Sequence, residues 1–245
     1  MQITGRLGNN LFQIAVAYSL AKKYTTDFFM VYNDYNKYEQ EWISYFNDVK
    51  FIPRHKLPML NQTFSEKCNG INCFQYHPQL EHLIGDNIFL DGYFQTEQYF
   101  KQNLPELRSL FLKREIMDTN GYFIHVRRGD YVNHPVYTID WSEYFRKAIK
   151  HFPEGSQFYI VSDDIKYCKE SDLFNDFKVE FIDLDTLDTL HFMAGCKGGI
   201  CANSSFSWWG AYLCKREIVT MPKQWINNGM DTSQVYFEGA IVIDF

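Results

Sequence analysis

The sequence YFIHVRRGD at residues 122–130 decides the fold. Tyr122 to Val126 are aromatic or apolar apart from His125, and no turn residue interrupts them before Gly129. A short apolar run of this kind, bounded by turn residues, is typical of a buried β-strand. The charged residues that follow it predict a polar loop at the carboxyl end of that strand.

Outward from this stretch, strands and helices alternate to the end of the chain. Asp140 is a plausible N-cap for the first helix, because its side chain can accept a backbone hydrogen bond. Helices are predicted at residues 141–152, 165–171, 186–196 and 205–214, and strands at 158–161, 179–182, 199–202 and 218–221. This alternation predicts a parallel, doubly wound sheet.

The first half of the chain is less regular. Residues 11–24 predict a helix that is apolar nearly all round and therefore buried, after a glycine-bearing turn at residues 5–10. Strands are predicted at residues 28–32, 49–52 and 88–94, a helix from about residue 96, and a loop-rich region at 33–87. The segment near Asp118-Thr119-Asn120-Gly121 is the best boundary, so we predict two α/β domains, residues 1–118 and 119–245.

Composition restricts the function. The 245 residues carry a formal net charge of -6 and no long basic run, which argues against a nucleic-acid partner. The adjacent Arg127 and Arg128 are few enough to suit one pyrophosphate. Residues 1–30 lack a signal-peptide pattern and no apolar stretch is long enough to span a membrane, so we expect a soluble, cytoplasmic protein. Peripheral membrane contact stays compatible with this expectation.

The six cysteines do not predict a metal site. Two pairs have C-x4-C spacing, but the sequence has no C-x2-C pair and no histidine cluster beside them. Zinc is therefore a weak interpretation, and reduced structural thiols are the better one.

Polar residues follow four successive strands of the predicted sheet. Ligands bind at the carboxyl ends of the strands in open parallel sheets, so clusters after four strands indicate one binding site. The clusters are His125-Val126-Arg127-Arg128-Gly129-Asp130, Ser162-Asp163-Asp164, Asp183-Leu184-Asp185 and Asn203-Ser204-Ser205.

Arg127 and Arg128 are predicted to have different roles. Adjacent residues on an extended strand point to opposite faces, so one arginine is expected to meet the ligand while the other makes a structural ion pair. Alternation puts Arg127 on the same face as His125 and favours Arg127 as the ligand contact. The alternative is that Arg127 is held only by Asp130 or Asp163.

Two helix starts could bind an anion. Asn203-Ser204-Ser205 stands before a predicted helix, where free backbone N–H groups and the helix dipole favour negative charge. Simple capping by Ser204 or Ser205 is the alternative. The turn at residues 5–10 could present N–H groups in the same way, although it matches neither the dinucleotide fingerprint nor a P-loop.

Asp183-Leu184-Asp185 has the D-x-D pattern that holds a metal in many sugar-nucleotide transferases. An arginine and a helix N-terminus can neutralise a leaving diphosphate without a metal, so we expect none. No G-x-S-x-G motif is present, which disfavours a hydrolase of that kind.

Several motifs together resemble the alpha-1,2-fucosyltransferases of glycosyltransferase family 11. They follow the family order across nearly the whole chain. The matching segments are GRLGNNLFQIAVAYSLA near the start, LDGYFQTEQYF at 90–100, HVRRGDY at 125–131, FYIVSDD at 158–164 and ANSSFSWWGAYL at 202–213. Departures include Asn10 where glutamine is common and Tyr212 where tryptophan is frequent, which affects the expected acceptor preference more than the donor site.

The resemblance implies a GT-B-like fold of two Rossmann-like domains that face a central cleft. It implies inverting transfer of fucose from GDP-fucose, a donor substrate, to a terminal galactose, with no cofactor and no obligatory metal. The donor contacts would be His125, Arg127 and Asp130, with Arg128 beside them. Asp163 and Asp164 would lie near the nucleoside, Asn203, Ser204, Ser205 and Phe206 near the diphosphate and fucose, and Gly8 and Asn9 on the first domain.

Alternatives stay open at this point. The enzyme could form another linkage, alpha-1,3 or alpha-1,6, or the chain could be a glycan-binding relative that has lost catalysis. Inversion also requires the acceptor hydroxyl to lose a proton. The sequence offers only candidates by residue type for that base: His125, Asp130, Asp91 and Glu97.

Overall fold

A computed structural model describes residues 1–33, 42–66, 73–83 and 87–245. By their internal contacts these residues divide into two compact units. The first comprises Met1–Lys113 and Asp231–Val235, and the second comprises Arg114–Met230 and Tyr236–Phe245. The division falls between Lys113 and Arg114, whereas the sequence-based boundary lies after residue 118.

The first unit contains a long helix, α1 (Leu7–Tyr24), and two pairs of short parallel strands. The first pair is β1 (Met30–Tyr32) with β2 (Phe51–Pro53), and the second is β3 (Gln62–Ser65) with β4 (Ile88–Asp91). Two single 3-10 turns lead from β4 into helix α2 (Leu104–Phe111).

Strand β3 corrects the expectation of a loop-rich region at 33–87. Its sequence QTFS has two exposed residues and two buried ones, and this length is too short for a clear alternating pattern. Parts of the same region, residues 34–41, 67–72 and 84–86, lie outside the described residues.

Helix α1 begins earlier than predicted. It starts at Leu7, so Gly8 and Asn9 belong to its first turn and not to a turn that precedes it. Gly5, with φ +81°, lies in the bend directly upstream, and its left-handed backbone suits glycine. Asn10 tolerates the helix because its side chain donates to the carbonyl of Thr4 at 3.0 Å. The helix is buried along most of its length, as predicted.

The second unit is built on one six-stranded parallel sheet, which confirms the predicted architecture. The strand order is β10-β9-β8-β5-β6-β7. The strands are β5 (Tyr122–Val126), β6 (Gln157–Ser162), β7 (Lys178–Ile182), β8 (Gly199–Ile200), β9 (Val219–Pro222) and β10 (Ile241–Ile243). The intervening helices are α3 (Trp141–Ala148), α4 (Ile165–Glu170), α5 (Thr186–Ala194) and α6 (Ser205–Leu213).

The buried face of this unit explains much of the aromatic content. Tyr144 and Phe145 of α3 pack against β5 and β6, and Trp208 and Trp209 of α6 are fully buried. Tyr144 also donates its hydroxyl to the carbonyl of Cys201 at 2.8 Å, so its polar atom is satisfied inside the core. Asp140 caps α3 as predicted, accepting from the N–H of Glu143 at 3.0 Å.

The cysteines in the described residues are free thiols. Cys168, Cys196, Cys201 and Cys214 are buried, Cys73 is partly buried, and Cys68 lies outside the described residues. Burial raises the pKa of the Cys196 thiol to about 12, so this thiol stays protonated and unreactive. Within the described ranges, no helix is long and apolar enough to cross a membrane.

Candidate active site

The centre of the six-stranded sheet brings three of the four predicted polar clusters together. β5 pairs in parallel with β6 on one side and with β8 on the other. The carboxyl ends of these three strands therefore lie side by side at one edge of the sheet. β7 lies beyond β6 at the end of the strand order, so its cluster is farther from the centre.

His125 is the last buried polar residue of β5. It is 3% exposed, and its ring packs edge-on against the ring of Phe206 at a centroid distance of 5.5 Å. Burial, followed by the charge of Arg127, lowers the pKa of His125 to about 3. The imidazole is therefore neutral at physiological pH. Its Nδ1 atom is buried and has no hydrogen-bond partner among the described residues.

Arg127 is held by two carboxylates and an aromatic ring. Nη1 donates to Asp163 and Nη2 donates to Asp130. The guanidinium carbon lies 5.1 Å from the centre of the Tyr131 ring, and the side chain is only 12% exposed. The guanidinium has five N–H donors, so these two bonds leave donors for a ligand. A structural ion pair and a ligand contact are therefore compatible at Arg127.

Arg128 makes the structural ion pair expected of one arginine, but Arg127 makes ion pairs as well. Its Nε donates to Asp164 at 3.2 Å, its backbone N–H donates to Asp163 at 2.8 Å, and its guanidinium lies 3.3 Å from the centre of the Tyr167 ring. Both arginines thus make ion pairs with the end of β6. The alternation argument fails because β5 ends at Val126 and Arg128 has a ψ of -83°, so neither arginine is on the extended strand.

Asp163 and Asp164 use their oxygens within the protein. Asp163 accepts hydrogen bonds from the guanidinium of Arg127 and from the backbone N–H of Arg128. Asp164 caps α4, accepting from the N–H of Tyr167 at 3.2 Å, and receives Arg128 on its other oxygen. The two carboxylates therefore fix the arginines and the segment that follows β5.

The segment that joins β8 to α6 carries Asn203, Ser204, Ser205 and Phe206. Ser204 caps α6 through the N–H of Phe206 at 3.3 Å, which bears out the capping interpretation. The side-chain nitrogen of Asn203 donates to the carbonyls of Tyr137 at 2.9 Å and Trp225 at 3.1 Å. Its Oδ1 atom is buried, and no described residue donates to it. Asn203 Oδ1 and His125 Nδ1 are thus two buried polar atoms with unused capacity at one sheet edge.

The third cluster is not part of this group of contacts. Asp185 caps α5, accepting from the N–H of Asp188 at 2.8 Å, and that helix follows the edge strand β7. Among the described residues, no three His, Cys, Asp or Glu side chains form a group that could hold a metal ion.

Gly8 and Asn9 belong to the first unit, where α1 begins. Asn9 accepts a hydrogen bond from the side chain of Gln95 at 2.8 Å. Gln13, one turn further along α1, donates to the carbonyl of Gly92 at 2.8 Å. The start of α1 is therefore bound to the segment that leaves β4.

The same unit contains a buried carboxyl that the sequence analysis did not single out. Glu66 follows β3 and is 2% exposed. His77 Nε2 lies 3.9 Å from its Oε1 atom. In two segments, FSE at 64–66 and LDG at 90–92, an apolar residue is followed directly by a polar one. This pattern is the signal that could have indicated a polar strand end here.

Comparison with known proteins supports a single family. The model of glycosyl transferase family 11 matches residues 83–239. An alpha-1,2-colitosyltransferase of Escherichia coli is 25% identical over an alignment of 263 positions, which covers 91% of this chain and 91% of its own. The O-antigen biosynthesis glycosyltransferase WbnK of Escherichia coli is also 25% identical, over 91% of this chain and 93% of its own.

A solved structure agrees with the fold. The heptosyltransferase WaaC of E. coli with ADP superposes with a TM-score of 0.54 over 98% of this chain and 91% of its own, at 10% identity. At that identity the likeness shows the fold alone, and WaaC is a GT-B glycosyltransferase. The predicted α/β, GT-B-like fold class is confirmed.

Proposed function

Because the chain belongs to glycosyl transferase family 11, we propose that it is an inverting enzyme that moves fucose from GDP-fucose to the 2-hydroxyl of a terminal galactose on a glycan. As a member of the family it is a glycosyltransferase, which uses a sugar-nucleotide donor and a glycan acceptor. The motif resemblance supports the fucosyl donor. The 1,2 linkage is supported by that resemblance and by the similarity to a colitosyltransferase whose name specifies the same linkage.

The main observation that supports this proposal is the position of Arg127 between Asp130 and Asp163. Transfer breaks the bond between the anomeric carbon and the diphosphate, so negative charge grows on the leaving phosphate. A guanidinium already fixed by two carboxylates stabilises that charge without first losing its own freedom. The N-terminus of α6, which follows the neighbouring strand β8, adds backbone N–H groups and a favourable dipole.

The two buried atoms with unused capacity support a polar, uncharged part of the donor at the same edge. His125 is neutral, so Nδ1 can donate or accept one hydrogen bond, whereas Asn203 Oδ1 can only accept. Sugar or ribose hydroxyl groups both donate and accept, and would satisfy both atoms. The ring of Phe206 supplies an apolar surface beside His125.

The remaining site residues act around this centre. Asp130 fixes Arg127, and Asp163, Asp164 and Arg128 fix the segment after β5 and the nucleoside side of the donor. Ser204 and Ser205 present the start of α6 to the diphosphate. Since the unused N–H donors of Arg127 and the N-terminus of α6 can bind the leaving diphosphate, we expect transfer to proceed without a metal ion.

A second candidate is transfer of colitose in the same 1,2 linkage. It is favoured by one observation, the 25% identity to the alpha-1,2-colitosyltransferase over 91% of this chain. The arginine and helix would act on the leaving diphosphate in the same way, so the donor sugar alone separates the two candidates.

The test mixes the protein with GDP-fucose and lactose in the presence of EDTA. We expect GDP release and a fucosylated product whose NMR spectrum shows an alpha-1,2 linkage to galactose. A parallel reaction with GDP-colitose tests the second candidate. A 1,3 or 1,6 linkage, an absolute metal requirement or no product with any galactoside would contradict the proposal, and lactose binding without turnover would identify a glycan-binding relative.

A further inference from the structure

A loop of the second unit carries a ring-bearing side chain at every third position. Its sequence is YVNHPVY at residues 131–137, with the rings on Tyr131, His134 and Tyr137. The backbone N–H of His134 donates to the carbonyl of Tyr131 at 3.1 Å, and the N–H of Tyr137 donates to the carbonyl of His134 at 3.1 Å. Side chains three residues apart lie above one another in turns of this kind, so the spacing brings the rings to one side of the loop.

The rings of this loop form a stack. The centroids of Tyr131 and Tyr137 are 4.6 Å apart, and the two ring planes are inclined by 18°. The imidazole of His134 stacks on Tyr137 with a centroid distance of 4.5 Å and an angle of 29°. Its Nδ1 atom accepts from the backbone N–H of Val136 at 3.2 Å, which fixes the plane of the imidazole. The position of the Tyr131 ring is therefore supported by two further rings and by the backbone behind them.

Hydrogen bonds from outside the loop hold the stack in place. The side-chain nitrogen of Asn203 donates to the carbonyl of Tyr137 at 2.9 Å. The backbone N–H of Asn227 donates to the carbonyl of Val136 at 2.7 Å. Asn203 belongs to the segment between β8 and α6, so the loop that carries Tyr131 is fixed to the same segment that presents the N-terminus of α6.

Arg127 is the charged group that contacts this stack. Its guanidinium carbon lies 5.1 Å from the centre of the Tyr131 ring, which is within the range of a cation–π contact. Asp130 and Asp163 hold its two Nη atoms. A planar group on a flexible side chain that is held at two points can still tilt about the line that joins them, and a third contact restricts that tilt. The direction of the remaining N–H donors therefore depends on Tyr131.

Packing alone does not explain where the Tyr131 ring lies. Tyr122 and Tyr144 of the same unit are buried in its hydrophobic core, whereas Tyr131 is partly exposed. Its ring contacts a cation that two carboxylates already hold. An arginine fixed by carboxylates is stable without an aromatic neighbour, so the ring adds orientation rather than charge compensation.

We propose that Tyr131 is a positioning residue of this enzyme, whose ring directs the guanidinium of Arg127 toward the leaving diphosphate. The inference rests on the proposed function, because it requires a donor whose diphosphate is stabilised by Arg127. Tyr131 acts only through Arg127 and forms no bond with the substrate. The electron-rich face of the ring attracts the cation, so the hydroxyl group is not required for this role.

The test varies the electron density of the ring and leaves its shape nearly unchanged. Tyr131→Phe is the reference, and phenylalanines with one, two or three fluorine atoms are then incorporated at the same position. Each fluorine withdraws electrons from the face of the ring and so weakens a cation–π contact. We expect kcat/KM for GDP-fucose to fall with each fluorine, by about tenfold over the series. The Kd of GDP, measured by calorimetry, should rise in the same order.

The direction of the effect separates a positioning role from a structural one. Withdrawing electrons from the Tyr131 ring strengthens its stacking on the electron-rich ring of Tyr137, whereas it weakens the attraction for Arg127. If the ring only held the loop, kcat/KM would stay constant or rise along the series, which would overturn the proposal. Tyr131→Leu removes the aromatic face, so it should lose at least as much activity as the trifluorinated protein. A Tyr131→Leu protein as active as Tyr131→Phe would also overturn it.

Tyr159 is the matched control. It is a partly buried tyrosine of β6 in the same unit, and its ring packs edge-on against the apolar ring of Phe192 at 5.2 Å. The same fluorinated series, with Tyr159→Phe as its reference, should leave kcat/KM unchanged. An equal loss along the Tyr159 series would show that fluorine acts on the unit as a whole, and would contradict a specific role for Tyr131.

The outcomes also separate this role from the proposed function. Fucosyl transfer with a flat Tyr131 series would overturn the positioning role alone. If the wild type uses only another nucleotide sugar, the proposed donor is wrong, and the same series measured with that sugar tests Tyr131. If the wild type transfers nothing, the proposed function fails and the Kd of GDP decides: weaker binding with each fluorine supports the positioning role, and a constant Kd contradicts it.

Discussion

The carboxylate of Asp163 accepts a hydrogen bond from the guanidinium of Arg127, and so joins the ends of the adjacent strands β5 and β6. Its other oxygen accepts the backbone N–H of Arg128 at 2.8 Å. One carboxylate therefore fixes both the side chain of Arg127 and the course of the chain directly after it. Charge-assisted bonds of this kind restrict the arginine more than a neutral contact would.

Arg127 is the side chain whose replacement should cost the most activity. Arg127→Lys keeps the charge but loses the fork that binds Asp130 and Asp163, and Arg127→Ala loses both. We expect turnover to fall by about 100 to 1000-fold in each, with a cooperative thermal transition retained. Arg146→Lys, at an exposed arginine of α3, is the matched control and should stay active. Near-normal turnover of Arg127→Ala would remove this residue from the mechanism.

Gly129 tests the same contact without touching a charged group. A Cβ there would collide with the carboxylate of Asp163, whereas a Cβ on Gly155 would meet nothing within 4 Å. Gly129→Ala should therefore displace Asp163 from Arg127 and reduce kcat about tenfold or more. Gly155→Ala forces an alanine to adopt φ +74° and should cost about 1 kcal/mol of stability with kcat unchanged. Equal activities of the two variants would show that the Asp163 contact is not needed.

The sequence was sufficient for the second unit and insufficient for the first. Both ends of the strand Tyr122–Val126 were predicted correctly, because all five positions are buried and residues that favour a turn follow them. The order β8-β5-β6, which brings His125 beside Phe206 and Arg127 beside Asp163, depends on long-range pairing that no local pattern encodes.

The sequence-based interpretation was wrong about the backbone at two segments of the candidate site, and it missed one buried pair. Alternation could not separate Arg127 from Arg128, because the strand stops one residue too early. Gly8 and Asn9 are helical because the bend lies upstream of them, at Gly5. Glu66 and His77 gave no motif, since burial of a glutamate and its approach to a histidine are set by tertiary structure.

His125 and Glu66 should give the free energy of unfolding opposite pH dependences. Burial lowers the pKa of His125 from 6.5 to about 3, so its contribution is present above pH 6.5 and is lost as the pH falls towards 3. Burial, assisted by Asp91, raises the pKa of Glu66 from 4.5 to about 7 against the N–H groups of Tyr93 and Phe94. The contribution of Glu66 is therefore present below pH 4.5 and is lost as the pH rises through 7.

Two variants separate these contributions between pH 4.5 and 6.5, where both groups act. Glu66→Gln should make the free energy of unfolding rise more steeply with pH, and His125→Gln should make it fall with pH. Each proton changes the slope by up to about 1.4 kcal/mol per pH unit. Urea unfolding at a series of pH values measures the slopes. Curves parallel to the wild type would mean that neither group titrates abnormally.

Asn203 should matter for stability as well as for the donor. Its side-chain nitrogen joins the carbonyls of Tyr137 and Trp225 while it is 3% exposed, so Asn203→Ala leaves two carbonyls without this donor in the interior. Unsatisfied buried groups cost about 1–3 kcal/mol each. Asn227 donates to the carbonyl of Thr138 at 2.8 Å but is exposed, so water can replace it and Asn227→Ala should cost less than about 1 kcal/mol.

Asn203→Asp sharpens this comparison, because it keeps the shape and the Oδ1 acceptor but replaces the donor with an oxygen. That oxygen would face the carbonyls of Tyr137 and Trp225, so we expect Asn203→Asp to be at least as unstable as Asn203→Ala. For a chain of this length each kcal/mol lowers Tm by about 2–4 °C, which differential scanning calorimetry resolves. If Asn203→Asp were as stable as the wild type, the carboxyl would have to be protonated and donating, and its stability would then fall as the pH rises.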